Sequence, residues 1–286
     1  MVKASSQIQL VELILILLLF LIPVASNAEI DKLRVVTSFT ILEDLVKGLG
    51  GEHVRVVYLV PRDSDAHLYQ PIPSDSIAIT NADLVIFNGL GFEGWITRLL
   101  ESARDETKVL VASKGVKILQ RHGEIDPHAW QSFQNIRIYV GNITNMLIET
   151  MPQYTKYLIK RQTLYLRSIM KLENDLSKRL ADIPVSDRMV VTSHDAFGYL
   201  GRELQIEFLA PLGLSIDAEP SAEDVAAVID QITNRNVKAL FVENINNPKL
   251  LQMISKESGV SIGGRLYSDA LSVTKGPAAT YLDMMQ

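Results

Sequence analysis

From Leu33 onward the chain alternates short apolar runs rich in β-branched residues with stretches of helical periodicity. That alternation confines it to parallel strands joined by crossover helices. The spacing predicts strands over Arg34 to Ser38, Val54 to Val60, Leu84 to Phe87 and Val109 to Ala112, with a helix over Ile41 to Leu49 ended by Gly50 and Gly51. The rhythm then breaks. Gln153 to Ala181 holds no Gly or Pro and carries Leu158, Tyr165, Ile169, Leu172, Leu176 and Leu180 at near-helical steps. One helix of that length would span about 40 Å, and Pro152 and Pro184 bracket it. Afterwards the alternation resumes, with strands over Met189 to Ser193 and Ala239 to Val242 and helices over Ser221 to Asn234 and Pro248 to Ser258. Ser221 is the expected N-cap of its helix, with Asp224 placed to answer it.

The predicted fold class is α/β, two parallel-sheet lobes joined by a long rigid backbone helix. A chain of 286 residues is long enough for two such lobes with proper cores. The expected division is a signal peptide over 1–28, an N-terminal lobe over 29–151, the linking helix over 152–182 and a C-terminal lobe over 183–286.

The first 28 residues are of a different kind. Lys3 precedes an unbroken apolar stretch from Leu13 to Ile22, followed by Pro23, Ala25, Ser26 and Ala28. This reads as a secretory signal cut after Ala28. The run is about 10 residues against the roughly 20 that span a bilayer, which disfavours a membrane anchor. The absence of cysteine rules out disulfides, thiolate ligands and a lipid-bearing cysteine, so a free periplasmic protein is expected. The net charge of −5 and the lack of a basic stripe argue against nucleic acid as a partner.

Three of the five histidines stand in polar clusters far apart in sequence: Asp65-Ala66-His67-Leu68-Tyr69, Asp126-Pro127-His128-Ala129-Trp130 and Thr192-Ser193-His194-Asp195-Ala196-Phe197. Asp269 lies in a fourth cluster, Leu266 to Leu271. Three imidazoles and a carboxylate suit Zn²⁺ or Mn²⁺. The predicted strands place His67, His194 and Asp269 in loops beyond carboxyl ends, where open α/β folds gather ligands. Taken singly, each histidine is more often a surface or hydrogen-bonding residue than a ligand. On residue pattern alone both readings stand.

These clusters resemble segments of the solute-binding proteins of zinc and manganese ABC importers, a likeness running over essentially the whole chain after the signal. The family pattern is Pro-His-x-Tyr-Glu-Pro, Asp-Pro-His-Ala-Trp, His-Asp-Ala-Phe-x-Tyr and Tyr-x-Asp-Ser-Leu. Here it stands as His67 to Pro71, Asp126 to Trp130, His194 to Tyr199 and Tyr267 to Leu271. Phe241-Val242-Glu243 and Gly276-Pro277-Ala278 also read as family segments. The resemblance implies that His67, His128, His194 and Asp269 hold one Mn²⁺ or Zn²⁺, and that a membrane permease with a cytoplasmic ATPase receives it from a monomer. Ser38, Tyr69 and Glu243 are the expected supports of the ligand shell, fixing imidazole tautomers.

Departures from the pattern qualify the metal. Ala66 and Gln70 stand where Pro and Glu are usual, and Ser132-Phe133 replaces Asp-Pro. The stretch from Lys114 to Asp126 is short and holds one His, His122, where zinc-dedicated relatives often carry a long His-rich loop. That favours manganese or mixed use. His194 pulls towards zinc, because several manganese-type relatives have Glu there. The chain stops at Gln286, where relatives continue a terminal helix.

Gly89-Leu90-Gly91-Phe92-Glu93-Gly94 fits the glycine pattern of a dinucleotide turn. No acidic residue closes the next strand to hold a ribose, so a tight strand-to-helix turn is expected instead. Two rival functions have less behind them. A zinc hydrolase with a three-histidine site needs an open coordination position, which Asp269 would fill. An adhesin-like surface protein has export alone in its favour.

Overall fold

A computed structural model describes residues 32–121, 123–214, 220–235 and 237–286. The proposed signal segment and His122 lie outside these residues.

Two four-stranded parallel sheets form the frame. The first is built from β1 (Leu33–Thr37), β2 (Val54–Tyr58), β3 (Leu84–Phe87) and β4 (Lys108–Val111), in the order β2-β1-β3-β4. Its central strands are apolar on both faces, as expected where helices cover both sides. Leu84, Val85 and Ile86 are fully buried. Helix α1 (Thr40–Gly50) covers one face with Ile41, Leu42, Leu45, Val46 and Leu49, all fully buried. It stops at Gly51, whose φ of +56° favours glycine. A Cβ at Gly51 would also lie 2.1 Å from the Tyr157 hydroxyl. The other face carries α2 (Pro73–Thr80) and α3 (Ile96–Leu100).

Between β4 and the second lobe come a short hairpin, β5 (Gln120–Arg121) with β6 (Glu124–Ile125), and α4 (Phe133–Thr150). The helix α4 has no counterpart in the sequence reading. Its buried residues Phe133, Ile136, Tyr139, Val140, Ile143 and Leu147 follow the helical period, and Ser132 caps it by accepting from Asn135 N.

The long helix α5 covers Thr155–Ala181, and Pro152–Tyr154 forms a separate 3₁₀ turn before it. Its first half is fastened to the N-terminal lobe. Arg161 Nε donates to Gly48 O at 2.7 Å, and the Tyr165 ring lies against Gly48. At its far end Leu180 O and Ile183 O accept from Arg188, at the entrance to the second lobe.

The second sheet joins β7 (Met189–Val191), β8 (Glu207–Leu209), β9 (Ala239–Glu243) and β10 (Ile262–Leu266) in the order β10-β9-β7-β8. Helix α6 (Gly198–Leu204) follows β7. Helices α7 (Ala222–Arg235) and α8 (Lys249–Ser258) cover one face through Val228, Ile232, Leu251 and Ile254. The expected cap of α7 is present as a reciprocal pair: Ser221 N donates to Asp224 Oδ2 at 3.0 Å and Asp224 N to Ser221 Oγ at 3.1 Å. A final turn, α9 (Tyr281–Met284), returns to the first lobe, where Tyr281 OH donates to Trp130 O at 2.8 Å. Tyr199, Leu271 and Tyr281 therefore belong to the same apolar core as α1 and α4. Among the described residues no helix is long and apolar enough to cross a membrane.

Candidate metal centre

Both sheets point their carboxyl ends at one cleft. His67 lies on the loop after β2, His194 three residues beyond β7, Asp269 three beyond β10, and His128 between the β5–β6 hairpin and α4. The fold brings all four together: one ligand atom from each lies within 4.8 Å of the others. His67 Nε2 and His128 Nε2 are 3.3 Å apart. Asp269 Oδ2 is 3.3 Å from His194 Nε2 and 3.6 Å from His67 Nε2, and Oδ1 is 3.6 Å from His128 Nε2. A tetrahedral shell with metal–ligand bonds of about 2.1 Å has edges of about 3.4 Å, and the four separations, two to Asp269 Oδ2 and one to Oδ1, are close to that length.

Local sequence sets each ligand's direction. The two N-terminal histidines use the same device: an aspartate two residues earlier accepts the histidine's own N–H, Asp65 Oδ1 from His67 N at 2.8 Å and Asp126 Oδ1 from His128 N at 3.0 Å. In the second case the same oxygen also meets His128 Nδ1 at 2.8 Å, which turns Nε2 into the cleft. His194 is held differently. Glu243, the last residue of β9, accepts Ser193 N and His194 N on Oε1 at 2.8 and 3.0 Å and presents Oε2 to His194 Nδ1 at 2.7 Å. Carboxylates thus stand behind two imidazoles, the usual means of fixing a ligating tautomer.

The other two expected supports lie elsewhere. Ser38 Oγ donates to Glu93 Oε1 at 2.6 Å, and Tyr69 OH donates to Asp75 Oδ2 at 2.7 Å. Neither bonds to one of the four. Asp126, quoted in its cluster but not singled out as a support, is the group beside His128. Its signal was the repeated Asp-x-His spacing at 65–67 and 126–128.

Glu93 also settles the glycine-rich turn. Its carboxylate accepts Asn88 N and Gly89 N at 2.7 and 3.1 Å, so the chain's own anion takes the donors that a dinucleotide phosphate would need. Burial raises the Glu93 carboxyl to about 7 against the hydrogen bonds that favour its charge. Gly89, Leu90 and Gly91 all have positive φ. Next to Glu93, the Phe92 ring meets His67 edge-on at 4.7 Å and packs on Trp130, forming an apolar wall behind the cleft.

The cleft is dry on three sides. The side chains of His128, His194 and Asp269 are fully buried, whereas His67 retains some exposure and lines an open depression of about 860 Å³ with Leu68, Tyr69, Trp95 and Arg98. Among the described residues both Asp269 oxygens and both His194 ring nitrogens lack a well-aligned hydrogen bond, despite their close contacts. Burial would hold the His194 imidazole neutral, but Glu243 and Asp269 outweigh it and raise its pKa well above the ordinary value. For Asp269, burial is outweighed by His128 and His194, and its carboxyl is held below the usual range. Convergent, desolvated donors with no better partner than each other are what a cation site requires.

A family profile described as zinc-uptake complex component A, periplasmic, matches residues 35–286. The chain belongs to this family. Its similarity extends to the manganese-binding lipoprotein MntA of Halalkalibacterium halodurans, 33% identical over 257 residues that cover 90% of this chain and 86% of MntA. The iron-binding protein YfeA of Yersinia pestis is 32% identical over 258 residues, 89% of this chain and 83% of YfeA. Among solved structures, the periplasmic zinc-binding protein TroA of Treponema pallidum superposes with a TM-score of 0.85 at 28% identity, covering 89% of this chain and 95% of TroA. A manganese-bound periplasmic metal-binding protein of candidatus liberibacter asiaticus gives 0.81 at 30%, covering 89% and 96%. These relatives are named as binding proteins. MntA is named a lipoprotein, in contrast to the lipid-free protein expected from a sequence without cysteine.

Proposed function

We propose that this protein captures one divalent transition metal, Mn²⁺ or Zn²⁺, outside the cytoplasm and hands it to an ABC permease driven by a cytoplasmic ATPase. His67, His128, His194 and Asp269 are the ligands. The observation that carries this reading is the set of ligand-atom separations, 3.3 to 3.6 Å, matched to a single ion. Family membership and the metals named for the relatives support it.

The metal is cargo rather than a catalyst. Asp269 fills the fourth position that a hydrolytic ion would leave to water, so we assign no reaction to the site. The N-terminal lobe over 29–151 supplies His67 and His128, the C-terminal lobe over 183–286 supplies His194 and Asp269, and the segment 152–182 links them. Residues 1–28 direct export. We place the protein in the periplasm, monomeric and without affinity for nucleic acid. Glu243 and Asp126 orient the imidazoles.

Metal titration of the chelator-stripped protein tests this. One Mn²⁺ or Zn²⁺ per chain, lost in His194→Ala and Asp269→Ala variants that remain folded, is the expected result. An Fe²⁺ titration alongside ranks the third metal named among the relatives. No binding of any of the three by the native chain refutes the proposal.

A further inference from the structure

The β5–β6 hairpin belongs to the first lobe, yet a residue of the second lobe completes its hydrogen bonding. Asp126 N donates to Leu119 O at 2.9 Å, as the residues flanking an antiparallel pair do. The return bond, Leu119 N to Asp126 O, is replaced by the Tyr199 hydroxyl. It accepts from Leu119 N at 2.9 Å and donates to Asp126 O at 3.0 Å. Tyr199 sits in the first turn of α6 and is fully buried.

Two neighbours tighten the same joint. Arg121 Nε donates to Asp195 Oδ2 at 2.6 Å, joining the hairpin to the residue after His194. Gly198 lies so close that a Cβ there would stand 2.7 Å from Arg121 Cδ and 2.8 Å from Asp126 Oδ2. The residue clamped at the hairpin's base, Asp126, is the one whose carboxylate aims His128. Its direction is therefore set partly by contacts from the opposite lobe.

Resting on the metal-binding reading above, we infer that this joint is a latch: Tyr199 is a positioning residue that acts through Asp126 on His128, and the ion leaves when α6 withdraws the hydroxyl from the hairpin. Separating the lobes breaks both Tyr199 bonds and the Arg121–Asp195 pair at once, and Asp126, which holds His128, loses its contact with the second lobe in the same motion. Capture and release are then governed by a contact that touches no metal.

The test uses the full mature chain as native, Tyr199→Phe and Arg121→Met. Phenylalanine keeps the ring, and without the hydroxyl the hairpin's own N–H and C=O can close on each other, so the variant loses the coupling and keeps the hairpin. Each protein is loaded with Mn²⁺ or Zn²⁺ and mixed with excess chelator in a stopped-flow instrument, with the fluorescence of Trp95 and Trp130 as the signal. Association is measured separately. Loss of the buried hydrogen bonds should speed release by about tenfold in Tyr199→Phe and by a smaller factor in Arg121→Met, with association nearly unchanged. A general loosening of structure would instead lower the melting temperature of the metal-free form without this asymmetry between the two rates. Release within about twofold of native in both variants overturns the latch while leaving the metal site intact. Should Tyr199→Phe fail to fold, Arg121→Met alone decides between these outcomes. If the native chain binds no metal, the reading beneath it fails and the latch falls too.

Discussion

Glu243→Gln is the most discriminating substitution, because glutamine can retain one role of this side chain and reverse the other. The amide oxygen can still accept Ser193 N and His194 N, now at 2.8 and 3.0 Å, so the backbone after β7 keeps its cap. The other atom becomes a donor facing His194 Nδ1, where a carboxylate oxygen now lies at 2.7 Å. To accept from it, Nδ1 must give up its proton, and Nε2 then carries a hydrogen pointed at the ion. Losing a support of this kind costs 10- to 100-fold in metal affinity, or about 1.4 to 2.8 kcal/mol. A second consequence has the opposite sign. After burial, which opposes it, Glu243 is the main cause of the raised His194 pKa, so the native metal-free site holds its proton more tightly than a free imidazole and the metal must compete with it. Without that charge fewer protons are displaced. Titration calorimetry at pH 7 in buffers of different ionisation enthalpy reads both effects. The slope against ionisation enthalpy should be larger in the native protein than in the variant, while affinity drops. Equal slopes and an affinity within about threefold of native would reduce Glu243 to a backbone cap.

The same proton sets the pH response. With His194 raised above its unfolded value, its contribution to metal-free stability is present below about pH 6.5 and is lost as pH rises through the folded pKa. The midpoint increment produced by metal should therefore keep growing above pH 6.5, which differential scanning calorimetry between pH 5.5 and 8.5 would check. At about 100 times the dissociation constant, metal should add roughly 2.7 kcal/mol, or about 5 to 10 °C, and His194→Ala should abolish that shift. The long helix and the polar seams across the cleft predict little change in shape on loading. Small-angle scattering should find a radius of gyration near 19 Å that moves by less than about 1 Å. Gly51→Ala should lower stability by at least about 1 to 3 kcal/mol, read from urea unfolding, since it combines a φ of +56° with a Cβ meeting the Tyr157 hydroxyl.

Six of the eight strands described in the two parallel sheets were legible because buried parallel strands leave apolar runs, and Leu84 to Phe87 matches β3 residue for residue; β10 was not, since Gly263, Gly264 and Arg265 interrupt its run. Helix α4 is equally periodic but is not legible in the same way. Its signal was there in Ser132 and the buried positions from Phe133 to Leu147, masked by Asn, Thr and Gly residues of poor helix propensity. Short elements such as β8 and the β5–β6 hairpin carry too few residues for a period to register. In the centre, the four candidate ligands announced themselves through distinctive clusters. What surrounds them did not. Ser38 meets Glu93 across 55 positions of sequence within the first lobe and Tyr199 meets Leu119 across 80 between the lobes, and pairings of that range are decided by tertiary packing rather than by any local pattern.

The choice of metal follows from the same division between ligands and their surroundings. Intrinsic affinity favours Zn²⁺ over Mn²⁺ at nearly any site with nitrogen ligands, yet relatives of this chain are named for manganese, iron and zinc. Membership of the family therefore does not fix the ion. Two structural variables remain. One is Asp269, whose two oxygens both face the cleft at 3.3 to 3.6 Å from the imidazoles. Coordination through both would raise the ligand number and suit a larger, oxygen-preferring ion. The other is how far the cleft can widen, since edges near 3.4 Å suit a small tetrahedral shell and a looser shell needs the lobes to part. Contacts that resist parting lie outside the ligand set and include, besides those of Tyr199 and Arg121, Trp130 and Gln131 donating to Ser268 O, and Arg62 donating to Ser272 O and Ala279 O. Selectivity is therefore expected to depend on the seam between the lobes as well as on the side chains that would touch the ion.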